Sequence, residues 1–179
     1  MRALAAAAVI AASLGTTAAD PLPPGTIAGV AAATSGTGAD AYRLGFGYQY
    51  GWRASWQPMT TERRLGYTLR WLTMFGGMYD ATAARLDDLR VVLMDFTAGL
   101  RFRPWTTPTR YLNASAGVEM FRSNQELPPT MQRAYVGPVA SIGIDQYKWI
   151  LVFSVDVKYG LITGGPSQIA LVFGVGTGL

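Results

Sequence analysis

The chain has 179 residues, room for one domain, with a net charge of +4 and 15% charged residues, where soluble domains carry about 25%. It contains no cysteine and no histidine, which excludes disulfides, thiolate chemistry, histidine metal sites and a Ser-His-Asp arrangement. Its basic residues are spread along the chain rather than clustered, which argues against nucleic-acid binding.

Residues 1–19 open with Arg2 and continue as an Ala-rich apolar run, 3–14, too short to span about 30 Å of hydrocarbon. Thr17 and Ala19 suit the small positions of a signal-peptidase site, so 1–19 is expected to be a signal peptide and Asp20 the first mature residue. The segment 20–40 follows. Within it, 26–34 (TIAGVAAAT) is a weak first strand, small throughout and poor in alternation.

From 41 to 179 a period of two dominates. Seven segments read as strands: 42–56, 64–75, 89–103, 110–121, 133–145, 149–162 and 168–179. In the first, the even positions include Tyr42, Leu44, Phe46, Tyr48, Tyr50, Trp52 and Trp56. The odd ones are Arg43, Gly45, Gly47, Gln49, Gly51, Arg53 and Ser55. A strand sends alternate side chains to opposite faces, so one face is a bulky wall and the other small and polar. Twelve glycines fall in the seven segments, all on the small parity. A soluble sandwich would hide the bulky face. A membrane barrel turns it to lipid and fills a narrow lumen with small and polar groups. The expected fold is all-β: one eight-stranded antiparallel up-and-down transmembrane β-barrel, with 41–179 supplying all strands but the weak first one.

The longest linkers, 76–88 and 122–132, fall on the same side, as the outer loops of such barrels do, and are the expected contact surfaces. Pro138 stands inside a strand segment and is read as a bulge or local break. Aromatic residues at the ends of the bulky face form expected girdles: Trp56, Phe102 and Trp149 at the periplasmic belt, Tyr42, Phe75 and Tyr159 at the outer one.

The small parity also carries the strand charges Arg43, Arg53, Arg64, Arg70, Asp95, Arg101, Arg103, Glu119, Asp145, Asp156 and Lys158. A barrel of eight strands is packed by its own side chains, so buried charges must pair or meet water. The expected lumen network is Arg70, Asp95, Arg101, Glu119, Asp156 and Lys158. Reflection about the intervening loop places Arg70 opposite Asp95, and Arg101 falls near Asn113. A plug of ion pairs is favoured over a proton or ion path. Near the outer rim, Leu72, Met74, Val91, Leu93 and Val172 point inward as an apolar cup that would hold a lipid tail or close the barrel. No metal-ligand spacing and no cofactor motif is present. The run Gly174-Val-Gly-Thr-Gly178 alternates as a strand with no helix after it, unlike a phosphate loop.

In architecture the chain resembles small outer-membrane barrels of the OmpA/OmpX type. Over 35–77, with the lead SGTGADA, the opening YRLGF, a Trp-rich strand end and a second long strand, it is similar to the lipid A 3-O-deacylase family. That resemblance implies an eight-stranded barrel in the outer membrane of a Gram-negative bacterium. It also implies hydrolysis of an acyl ester of lipopolysaccharide by a His and a Ser two residues apart on a late strand. Here the comparable stretch is Val157-Lys158-Tyr159-Gly160, with Lys158 in place of the histidine and Gly160 in place of the serine, so no catalytic residue carries over. The final residue, Leu179, also departs from the aromatic end usual in such barrels. The expectation is a non-enzymatic integral outer-membrane protein, an envelope anchor or surface-contact protein. Its expected partners are outer-membrane lipid, lipopolysaccharide and the barrel assembly machinery. The alternative is a barrel that hydrolyses acyl esters of lipid A or phospholipid.

Overall fold

In the computed structural model, which describes residues 25–37, 44–57, 64–80, 90–127, 132–161 and 167–179, the alternating segments close on themselves. The strands are β1 (Gly25–Thr37), β2 (Leu44–Trp56), β3 (Leu65–Asp80), β4 (Arg90–Phe102), β5 (Arg110–Leu127), β6 (Gln132–Lys148), β7 (Leu151–Leu161) and β8 (Ser167–Gly178). They form one closed antiparallel barrel in chain order, β8 pairing with β1. The expected signal peptide, Tyr42, the residues 81–88 and 128–131 of the two long linkers, and Leu89 lie outside the described residues.

The ladders fix the tilt. Partner by partner, Gly25 leads to Trp56, Leu69, Ala98, Ala116, Ala140, Tyr159 and Ile169, and back to β1 at Ser35, ten residues further along. Ten residues of rise against eight inter-strand spacings tilt the strands by about 40°. A thirteen-residue strand such as β2 then projects roughly 30 Å along the barrel axis, enough to cross an apolar band of about 25 Å.

β1 is a full strand, longer than 26–34. Its buried residues Thr26, Ala28, Val30 and Ala32 alternate with exposed Ile27, Gly29, Ala31 and Ala33, so both faces are small and the pattern in residue size is faint. Closure supplies what the pattern lacks, because β1 is hydrogen-bonded on both sides. The linkers 76–88 and 122–132 are corrected in the same way. β3 runs on through Gly76 and Gly77 to Asp80. A Cβ at Gly76 would lie 2.0 Å from the Tyr48 carbonyl oxygen, so this glycine lets two backbones approach and does not mark a turn. β5 continues through the polar run RSNQEL to Leu127, and β6 begins at Gln132. Beyond the apolar band a ladder needs backbone pairing but no alternation, so composition there resembles a loop.

Pro138 makes no bulge. It stays in register with Val118 of β5, and the β6–β7 ladder starts only at Val139, so the proline sits where that pairing has ended. Trp149 belongs to a two-residue turn with Ile150 and not to β7; its φ is 56°, a backbone conformation more usual for glycine.

The barrel is apolar outside and ionic inside. Tyr50, Trp52, Trp71, Phe96, Val118 and Ile142 are exposed, while Arg53, Arg70, Asp95, Glu119, Asp145 and Lys158 are buried. Exposed rings also pack along the wall, Trp52 on Trp71 at 5.3 Å and Trp56 edge-on to Tyr67 at 5.6 Å.

Candidate functional site

The lumen is stacked in layers from the end that holds Gly25 and Leu179 to the far end. In the first layer, Arg101 of β4 is fully buried with its guanidinium 4.1 Å from the Tyr111 ring and 4.9 Å from the Tyr147 ring. The two rings meet edge to face, the Tyr111 hydroxyl donates to the Pro108 carbonyl at 2.7 Å, and Gln57 donates to the Tyr147 hydroxyl. Arg101 and Asn113 are register partners, as expected.

The second layer crosses the barrel. Arg53 of β2 reaches Asp156 of β7 at 2.5 Å and donates to Ser154 at 2.8 Å. Arg70 of β3 reaches Asp156 at 2.8 Å and Asp145 of β6 at 3.4 Å. Arg53 and Arg101 each lie 3.7 Å from Asp145. Three arginines thus share two aspartates. In the third layer, Lys158 of β7 lies 2.8 Å from Asp95 of β4 and pairs with Glu119 of β5, and Gln168 of β8 donates to Glu119 at 2.8 Å. Here one cation serves two carboxylates. A cavity of about 30 Å³, the size of one or two waters, lies between the second and third layers, bordered by Arg53, Arg70, Asp95, Asp156 and Lys158.

All six residues of the expected network are therefore inside, in separate groups: Arg70 with Asp156, Lys158 with Asp95 and Glu119, and Arg101 linked to Arg70 only through Asp145; the Arg70–Asp95 pair is corrected. Arg70 stands opposite Thr97, and Asp95 opposite Leu72, two residues off the reflected register. Their partners come from across the lumen. The expected network also omitted Arg53 and Asp145, which have the inward parity. What identifies them as members is reach across the barrel, which no spacing within a strand encodes. Glycines make room for the carboxylates: a Cβ at Gly143 would lie 2.0 Å from Asp156 Oδ1, and one at Gly160 would lie 2.4 Å from Glu119 Oε1.

The last layer is apolar. Leu72, Met74, Val91, Leu93 and Val172, the expected cup, pack with Val30, Ala32, Phe121, Tyr135 and Ala170 in one buried cluster. The five side chains fill this part of the lumen against one another and against Phe121. On the outside, the girdle residues Trp56, Phe75, Phe102, Trp149 and Tyr159 are all exposed, Trp149 the most at 70%.

No protein-family model matches the chain, and no curated protein sequence does. The similarity to the lipid A 3-O-deacylases gains no support from either. Solved structures match at the level of fold. Ail, the attachment invasion locus protein of Yersinia pestis, aligns over 87% of this chain and 98% of its own with a TM-score of 0.58 and 14% identity. Neisserial surface protein A aligns over 89% and 100% with a TM-score of 0.55 and 14% identity. DynF, from the dynemicin biosynthesis pathway of Micromonospora chersina, aligns over 93% and 89% with a TM-score of 0.51 and 12% identity. The chain has the fold of the small eight-stranded outer-membrane barrels.

Proposed function

We propose that this is an integral outer-membrane protein whose barrel anchors it in the envelope and whose lumen is a solid ionic plug. The observation that carries the reading is the inverted distribution of polarity: a continuous apolar outer wall around buried paired charges. Barrel topology alone would also suit a protein of a biosynthetic pathway, and the direction of the wall is what favours a membrane over water. In water, a wall that leaves Tyr50 and Phe96 62% exposed, with Trp52, Trp71, Val118 and Ile142 exposed beside them, would be the kind of contiguous apolar surface that soluble monomers keep small.

Export by the segment 1–19 and insertion by the barrel assembly machinery fit this placement, with lipid and lipopolysaccharide as surroundings. The segments 76–88 and 122–132, which connect β3 to β4 and β5 to β6, are the surfaces for any specific contact. A non-enzymatic role is favoured over acyl-ester hydrolysis because Lys158 is clamped between Asp95 and Glu119 and so is poorly placed as a base. The test is fractionation of expressing cells. The protein should resist salt and periplasmic washes, require detergent, and change gel mobility when its barrel is heated. Release in the periplasmic wash overturns the proposal.

A further inference from the structure

Inside the barrel every buried cation has a carboxylate within 4 Å. Two exposed arginines on the outer wall do not. Arg90, the first residue of β4, and Arg122 of β5 meet no carboxylate among the described residues; Arg90 uses only its backbone N–H, toward Asn124 Oδ1 at 2.9 Å. Arg122 stands opposite Val92, two residues from Arg90, which places the two guanidiniums on diagonal neighbours of one face.

Their height is informative. Arg90 is twelve residues from Phe102 along β4, or roughly 30 Å along the axis at this tilt, just past an apolar band of about 25 Å. Beneath them the outward residues of β4 and β5 are uncharged: Val92, Met94, Phe96, Met120 and Val118. Beside them the wall is notched. Gly77 of β3, partner of both Tyr48 and Arg90, presents no side chain, and Phe75 stands just below it. The constellation is a cationic rim over an apolar track, next to a gap flanked by aromatic rings. We propose that Arg90 and Arg122, with the Gly77 notch, form a docking site for the phosphorylated headgroup of an outer-leaflet lipid whose acyl chains descend past Val92 and Met94. The charge of the site selects an anion, and its continuity with the apolar wall selects a lipid over a soluble phosphate. The inference rests on the outer-membrane placement proposed above.

The experiment is native mass spectrometry of the barrel in uncharged detergent, titrated with bisphosphorylated lipid A, dephosphorylated lipid A and inorganic phosphate. The wild type should retain the phosphorylated lipid at least about tenfold more strongly than the dephosphorylated one, and Arg90→Gln/Arg122→Gln should lose that preference. Arg64→Gln/Lys148→Gln, which removes the same charge at the opposite rim, should keep it. Retention by the first variant equal to wild type, equal loss in the second, or equal binding of inorganic phosphate overturns the proposal. Heat-modifiable migration of each variant confirms that it is folded. A wild type that leaves cells without detergent refutes the membrane placement, whereas a detergent-requiring wild type with no phosphate preference refutes only this site.

Discussion

Asp156 is the residue on which the lumen depends most. It takes Arg53 at 2.5 Å and Arg70 at 2.8 Å, and it is 4% exposed. In Asp156→Ala, three arginines would be left with Asp145 alone, at 3.4 to 3.7 Å. Removing one partner of a buried ion pair costs about 3–5 kcal/mol, because the remaining charge stays buried without compensation. Arg70 and Arg53 keep longer contacts to Asp145, so the expected loss is about 3 kcal/mol, toward the lower end of that range. The assay is a urea titration of the barrel refolded in lipid vesicles, read by tryptophan fluorescence and the heat-modifiable gel shift. A second variant separates charge from packing: Asp156→Ala/Arg53→Met restores the charge balance of the layer and should recover at least half the loss. A loss under about 1 kcal/mol, the size expected for solvated surface pairs, would refute the claim that these charges are sequestered. Failure of the double variant to recover would show that shape, not charge, set the cost.

Lys158→Met should destabilise the barrel by about 3 kcal/mol in the same titration, since Asp95 and Glu119 are direct register partners and would face each other without a cation. Adding Glu119→Gln should restore much of that; no recovery would mean the two carboxylates do not share the lysine. Gly117→Ala should cost about 2 kcal/mol or more, because its Cβ would lie 2.0 Å from the Phe96 carbonyl oxygen and 2.7 Å from Thr97 Cα, both backbone atoms. Gly160→Ala, which meets only the tip of the Glu119 side chain, should cost less, and the reverse order in urea would contradict the assigned register. Val118→Arg, on the outward face, should cost about 2–4 kcal/mol in a bilayer; a stability unchanged from wild type would mean that this face does not meet lipid.

Much of the fold is legible in the sequence because two independent signals agree. Bulky residues and glycines segregate onto opposite parities, and strand length matches a tilted crossing. The exception, β1, has alanine on both faces, so burial alternates where residue size does not. The ends of β3 and β5 are illegible for a related reason: Gly76-Gly77 and RSNQEL look like turn material, and only the partner strand makes them strand. Parity also reveals which charges face inward. It cannot reveal their partners, since Arg70 joins β3 to β7 and β6 across the lumen while its ladder neighbour is Thr97. Reflection about a loop assumes a symmetric hairpin, and an error of two residues keeps the correct face while choosing the wrong partner. The Arg90–Arg122 site is hidden differently. Arg122 opens a segment read as loop, and Arg90 is the second residue of a segment read as strand, at the boundary where charge is ordinary.

The ionic interior answers a question that stability alone would leave open. Well-packed apolar side chains would fill such a lumen at equal or lower free energy than buried ion pairs. A barrel apolar on both faces, however, would not specify which face turns inward, and a slip of one residue in any ladder exchanges the faces. Among the described residues, four buried cations and four buried carboxylates stand on the inward parity. Exchanging the faces would place all eight against acyl chains. At about 2 kcal/mol or more for each, the penalty is on the order of 16 kcal/mol, larger than the whole stability of a typical domain. The balance of four against four matters as well, because buried charges that cancel one another draw in no counterions. The chain's net charge of +4 is then carried outside the described lumen. At the rims, Arg90 and Arg122 can meet anionic headgroups without weakening the pairs that hold the barrel in register.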